Sequence, residues 1–194
     1  GGGICQVSTT LYNAVLRAEL NVTERSPHSM TVHYVDLSED AAIAGTYKDF
    51  KFVNSTEYPI YIEGYTTSDK KITFNIYGKE TRDKNRTISF ESQMVSETPA
   101  TTILQEDAGQ GIGYKAVSSK GSSGYVAELY KIVKVNGVET DRIKVNKSTY
   151  KGTNRVVTYG TAGDPTLSEN LRAAIAAQDE ALADANIAAA VPAQ

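Results

Sequence analysis

The chain has 194 residues, 40% of them hydrophobic and 22% charged, so it can bury a core and is not a disordered segment. No run reaches the ~18–20 apolar residues of a membrane-spanning helix, and one cysteine with two histidines excludes a disulfide framework and argues against a zinc site. The net charge of −3 divides unevenly: residues 82–161 carry 12 Lys+Arg against 8 Asp+Glu (+4), while 1–81 carry 7 against 10 (−3) and 162–194 carry 1 against 5 (−4). An excess of +4 is too small for nucleic-acid binding, although it suits an anionic polymer.

The chain opens on Gly1-Gly2-Gly3 with no initiator Met and no signal peptide, which reads as an internal or processed piece of a longer protein. Val7, Leu11, Ala14, Val15 and Ala18 then recur at helical spacing and predict a helix from about Gln6 to about Glu19. The glycines ahead of it prevent an earlier start, and Asn21 is the expected stop. Beyond it the period falls to two. Strands are expected at 31–35, 48–53, 60–65 and 71–77, the last three joined by polar turns as an antiparallel meander.

Residues 79–85 hold no apolar side chain, which places a domain boundary there. Further strands follow at 88–95, 114–118, 124–135, 141–146 and 155–159, with Asn136-Gly137 as a hairpin turn because both central positions of that turn need positive φ. No helical period interrupts this run, so residues 82–161 read as an all-β unit. From Asp164 onward alanine dominates. Thr166-Leu167-Ser168-Glu169 has capping-box spacing, but the apolar stripe is thin. A marginal helix or disordered tail is expected over 162–194, ending at Pro192. The fold class is therefore α+β: a helix and meander, an all-β module and an Ala-rich tail.

Cys5 carries the most chemistry. A thiol in the first turn of a helix lies at the positive end of the dipole, which favours the thiolate. With a His on a following strand as base and a carboxylate to orient it, this arrangement supports nucleophilic catalysis. The order Cys5, then His28 or His33, then Asp49 resembles that of transglutaminase-like enzymes. Alternation favours His28, which follows Pro27 at a strand entrance; His33 is mid-strand. The backbone N–H groups of Cys5 and Gln6 could form an oxyanion hole. Against this stands a structural reading, since a lone cysteine commonly packs as a small hydrophobe. The glycines lack the Lys-Ser/Thr of a phosphate loop, and no cofactor is expected.

Gly1 to Leu16, with Glu24-Arg25-Ser26-Pro27-His28-Ser29 and Tyr47 to Phe52, resembles three successive blocks of the VanW family over about residues 1–78. Residues 82–161 resemble the five-glycine domain, on Gly111 or Gly113, Gly121, Gly124, Asn136-Gly137 and Tyr159-Gly160-Thr161. The resemblance implies a bacterial cell-envelope protein, extracellular and wall-associated, whose β module binds N-acetylglucosamine-containing glycan or peptidoglycan. Anionic wall polymers are a further partner class. The alternatives are a cysteine-dependent acyl transferase or amidase acting on peptidoglycan peptides, and a structural spacer. The sequons at Asn21, Asn54, Asn85 and Asn146 are incidental in such a setting. Twelve tyrosines and no tryptophan suit sugar stacking where the rings are exposed.

Overall fold

The computed structural model describes residues 2–190; Gly1 and the expected stop at Pro192 lie outside them. In chain order the elements are α1 (Ile4–Arg17), β1 (Asn21–Glu24), β2 (Lys51–Val53), β3 (Tyr61–Thr66), β4 (Ile72–Tyr77) and β5 (Arg86–Thr98). There follow β6 (Thr102–Gly111), β7 (Lys115–Ser122), β8 (Gly124–Val135), β9 (Val138–Tyr150), β10 (Thr153–Ala162), α2 (Pro165–Ala176) and α3 (Glu180–Ala190). The fold is α+β, and the chain forms two compact units. The first takes the residues through Glu97 together with Tyr125–Lys151, and the second takes Thr98–Gly124 and the chain from Gly152 onward.

In the first unit, α1 buries Ser8, Thr9, Tyr12, Val15 and Leu16, the i, i+4, i+7 face of one helix. Tyr12 and Leu16 meet Ala41 and Leu129 in a small core, flanked by Val22, Phe50, Phe90 and Val145. The helix ends with Glu19 in the left-handed region (φ 56), where Glu19 N–H reaches Leu16 O (3.0 Å) and Leu20 N–H reaches Val15 O (3.2 Å). This is the Schellman arrangement, with a glutamate where glycine is usual. The Arg86 guanidinium grips both Glu19 oxygens (2.5 and 2.8 Å) and Lys131 adds a third contact (3.0 Å). These bonds outweigh the opposing effect of burial and hold the Glu19 carboxyl at about 2.

The meander is not formed as expected. β2 pairs with β1 in antiparallel register, and β3 pairs only with β4. The expected strand at 31–35 is likewise absent, and the residues just after it, 38–41, are held by side chains. Arg25 donates to Asp40 O (2.6 Å), the Tyr150 hydroxyl accepts from Ser38 N–H (2.7 Å), and Thr9 Oγ1 accepts from Ala41 N–H (3.0 Å). Backbone groups met by side chains have no need of a ladder. The remaining sheet of this unit is β5-β8-β9. Asn136 (φ 52) and Gly137 (φ 80) make the expected hairpin turn between β8 and β9.

The second unit holds the sheet β6-β10-β7, with β10 parallel to β6 and antiparallel to β7. Gly160 permits this packing, since a Cβ there would lie 2.3 Å from Gly111 O. The alanine-rich segment takes the helical of its two expected forms, as α2 and α3 through residue 190. Asp164 caps α2 by accepting from Thr166 and Leu167 N–H (2.9 and 3.0 Å), and Ser168, expected as part of a capping box, instead donates to Thr161 O (2.6 Å). Leu171, Ala174 and Ile175 of α2 and Ala183 of α3 then bury against Leu104, Val157 and Tyr159. A thin stripe suffices because small alanines let the helices approach the sheet closely.

Candidate functional site

The candidate site is built on α1 and the irregular segment Arg25–Ile43. Gly3 at the N-cap is left-handed (φ 83), has no side chain to cap the helix, and no acidic residue occupies the first turn. Cys5, the second residue of α1, therefore lies at an unopposed positive helix end. Its thiol donates to Ile43 O (3.6 Å). Ser8 Oγ donates to Ala41 O (2.6 Å), and Ala42 N–H donates to Ser26 O (2.8 Å). Residues 40–43 thus form a strap that joins α1 on one side to Ser26–His28 on the other.

At the start of the strap lies Asp40, whose side chain is 1% exposed. Oδ2 accepts from His28 N–H (2.6 Å) and contacts His28 Nδ1 (2.6 Å). Oδ1 accepts from Arg25 Nη2 (2.8 Å) and the Tyr150 hydroxyl (2.5 Å). Burial pushes this carboxyl up, but the hydrogen bonds from His28 and Tyr150 and the Arg25 charge outweigh it and hold Asp40 below its ordinary range. An ionised Asp40 only accepts, which assigns the proton to His28 Nδ1 and leaves Nε2 as the basic nitrogen. The Tyr34 hydroxyl sits 3.4 Å from that Nε2. The Tyr34 phenol is pushed up, first by burial and further by the Asp40 charge, against the lowering effect of the Thr9 side chain.

The structure therefore brings His28 to Asp40, not to Asp49. Asp49 is half-exposed, accepts from Phe50 N–H (2.8 Å) and faces Lys51 (3.5 Å). Cys5 and His28 are tied to opposite ends of the same strap and make no hydrogen bond with each other. His33 is exposed. The Gln6 N–H expected for an oxyanion hole is taken by Gly3 O (2.9 Å). Sequence reasoning missed Asp40, Tyr34 and Arg25. The available signal was the acidic pair Glu39-Asp40 leading into the apolar run Ala41-Ala42-Ile43-Ala44. Among the described residues no three or more His, Cys, Asp or Glu side chains are grouped to hold a metal ion, and no helix is long and apolar enough to cross a membrane. A groove of about 910 Å³ in the first unit is lined by α1 residues from Ala14 onward, by Tyr58 and by β4, and does not include Cys5 or His28.

Residues 1–77 match the family model described as VanW like protein, and residues 90–162 match that of the G5 domain. The chain thus carries a VanW-like segment followed by a G5 domain. It is similar to uncharacterized protein YoaR of Bacillus subtilis (strain 168), 48% identical over 62 residues, a match that spans 32% of this chain and only 20% of that protein. Among solved structures it is similar to an IgA1 protease G5 domain, at 24% identity and a TM-score of 0.31, over 43% of this chain and 100% of that one. A second is the crystal structure of HP0197-G5, at 20% identity and a TM-score of 0.25, over 39% of this chain and 97% of that one.

Proposed function

We propose that the protein is extracellular and attaches to the bacterial cell wall, with residues 82–161 as the module that binds N-acetylglucosamine-containing glycan and residues 1–81 as its VanW-like companion. The observation that carries this reading is the succession of a VanW-like and a G5 match in one chain. The excess of basic residues over 82–161 adds attraction to anionic wall polymers. The whole chain is expected to sediment with purified cell wall. Binding that persists at about 0.5 M salt is glycan contact, and binding lost there is charge alone. A chain that stays in the supernatant at low salt is a spacer, and the reading fails.

A second reading rests on the His28–Asp40 pair, 2.6 Å apart with a buried, ionised acid. This is the base-and-orienter pair that a cysteine acyl transferase or amidase requires. In that chemistry His28 takes the Cys5 thiol proton as the sulfur attacks an amide carbonyl of a peptidoglycan peptide. The C–S bond forms, the C–N bond breaks and His28 passes that proton to the leaving amine; water or a second amine then cleaves the thioester, giving up a proton through His28 to the Cys5 sulfur. Cys5 is expected to react with iodoacetamide at neutral pH well above the rate of a free model thiol, and His28→Gln to slow it. Labelling no faster than the model thiol removes this reading.

A further inference from the structure

Three exposed tyrosines share one face of the β3–β4 hairpin. Tyr61 pairs with Tyr77, Glu63 with Asn75 and Tyr65 with Thr73, so these six alternate positions point to one side. Tyr61, Tyr65 and Tyr77 are 66, 46 and 52% exposed. The opposite side carries Ile72, Phe74 and Ile76, all half-buried, so the hairpin's packing does not need the tyrosines. Exposed aromatic clusters of this kind mark interaction sites rather than cores.

The face has a built polar centre. Glu63 Oε2 accepts from Asn75 Nδ2 (2.8 Å) and from the Tyr77 hydroxyl (3.1 Å), which fixes the carboxylate. Among the described residues its Oε1 accepts no hydrogen bond and stays open to an external donor. The Tyr61 and Tyr77 rings lie 6.1 Å apart and are inclined by only 32°, a nearly continuous platform. Tyr65 stands farther along the same strand, about 13 Å from Tyr61 at strand rise, a span for a short oligomer rather than one ring.

Charge decides the ligand class. The six residues contribute one carboxylate and no cation. Of the flanking lysines, Lys71 meets Asp69 (2.8 Å) and Lys79 lies over the Tyr58 ring (4.2 Å), while Lys70 lies in the turn beyond the six positions. Such a face repels an anionic polymer. It suits an uncharged sugar chain, whose C–H faces stack on phenol rings and whose hydroxyl or acetamido N–H groups donate to Glu63.

We propose that the outer face of the β3–β4 hairpin is a glycan-binding platform for an uncharged, hydroxyl- and acetamido-bearing oligosaccharide, separate from the G5 strands. The proposal rests on the wall-binding reading and gives the VanW-like segment its own contact with the wall.

The test uses the full chain and soluble N-acetylglucosamine oligomers, with binding measured calorimetrically at low salt and at about 0.5 M. The double variant Tyr61→Ala/Tyr77→Ala is expected to weaken binding about tenfold or more, as loss of central aromatic anchors does. Tyr47→Ala, which removes an exposed ring elsewhere, is expected to bind like the unaltered chain. Glu63→Gln keeps the hairpin packing and is expected to weaken binding several-fold, so it decides the matter if the double variant fails to fold. Oligomer binding that survives both hairpin variants overturns the platform and leaves wall attachment to the G5 strands. Binding abolished by salt overturns it in favour of charge. A chain that binds no oligomer and no cell wall overturns platform and wall reading together.

Discussion

The two units end a helix with the same backbone device and secure it by different chemistry. In the first, left-handed Glu19 closes α1 and is clamped by the charges of Arg86 and Lys131. In the second, left-handed Gln178 (φ 56) closes α2 and its amide bridges the backbone of Leu104, accepting from N–H (2.8 Å) and donating to O (3.0 Å). The contrast extends to their interiors. Asp40, Arg25, Ser38, Tyr150 and Ser148 tie the first unit together by buried hydrogen bonds, while Leu104, Val157, Tyr159, Leu171 and Ile175 hold the second by apolar contact. A polar interior fixes side chains in direction as well as place, and it is the one that presents His28 in a defined tautomer. An apolar interior supplies stability without such direction.

Removing the centre of the polar web breaks this contrast most directly. Asp40→Ala strands the Arg25 guanidinium, whose side chain is 6% exposed, and frees His28 and Tyr150. Loss of one partner of a buried pair costs about 3–5 kcal/mol. The first unit is expected to lose its cooperative transition in urea. A shift below about 1 kcal/mol would mean that the web is decorative. The matching cut in the second unit is Leu171→Ala, a fully buried leucine between helix and sheet. It is expected to cost about 3 kcal/mol through lost transfer energy and a cavity, with no change in Cys5 labelling.

Acid separates the helix ends. Glu19 is held at about 2, well below its ordinary 4.5. Its ion cluster therefore stabilises the fold fully above about pH 4.5, and that contribution fades as pH falls toward 2. Glu19→Gln is expected to lower the thermal midpoint at pH 7 and to flatten its decline between these values. Gln178 does not titrate, so the α2 end should be indifferent to the same change. An unaltered decline in the Glu19→Gln protein would assign the acid sensitivity to other carboxylates, Asp40 first.

What the sequence disclosed follows from the range of the interactions involved. Periodicity showed that α1 exists but not its inward face: of Val7, Leu11, Ala14, Val15 and Ala18 only Val15 is buried, while Ser8, Thr9, Tyr12 and Leu16 are buried with it. The Asn136-Gly137 turn was legible because its φ requirement is local. The partner of His28 was not legible. Asp40 is selected by Tyr150, 110 residues away, and Arg25 is completed by Ser148, 123 residues away. Alternation at 31–35 also misled: those residues join no ladder, and Ser38 just after them is held by Tyr150 and Ala127, far away in sequence. Composition left the tail open between helix and disorder, because alanine's value lies in what it permits a neighbouring sheet to do.

The smallest expected effect concerns ion pairs of the second unit, and it sharpens the comparison. Lys115 Nζ reaches Asp184 (2.6 Å) and Glu180 (3.2 Å) and lies over the Tyr159 ring (5.4 Å). Burial lowers the Lys115 ammonium's affinity for its proton, but these partners outweigh it and hold the group above its ordinary range. By distance alone this cluster rivals Arg25–Asp40. Yet Lys115 and Asp184 side chains are 32 and 47% exposed, against 6 and 1% for the buried pair. Water screens the first and not the second, so Lys115→Met is expected to cost only about 0.2–1 kcal/mol and to cost less in 1 M salt. The methylene stem of methionine keeps the cover over Tyr159, which limits the loss to charge. A salt-independent penalty as large as that of Asp40→Ala would show that exposure does not set the worth of these pairs, and the division between a polar and an apolar unit would fall with it.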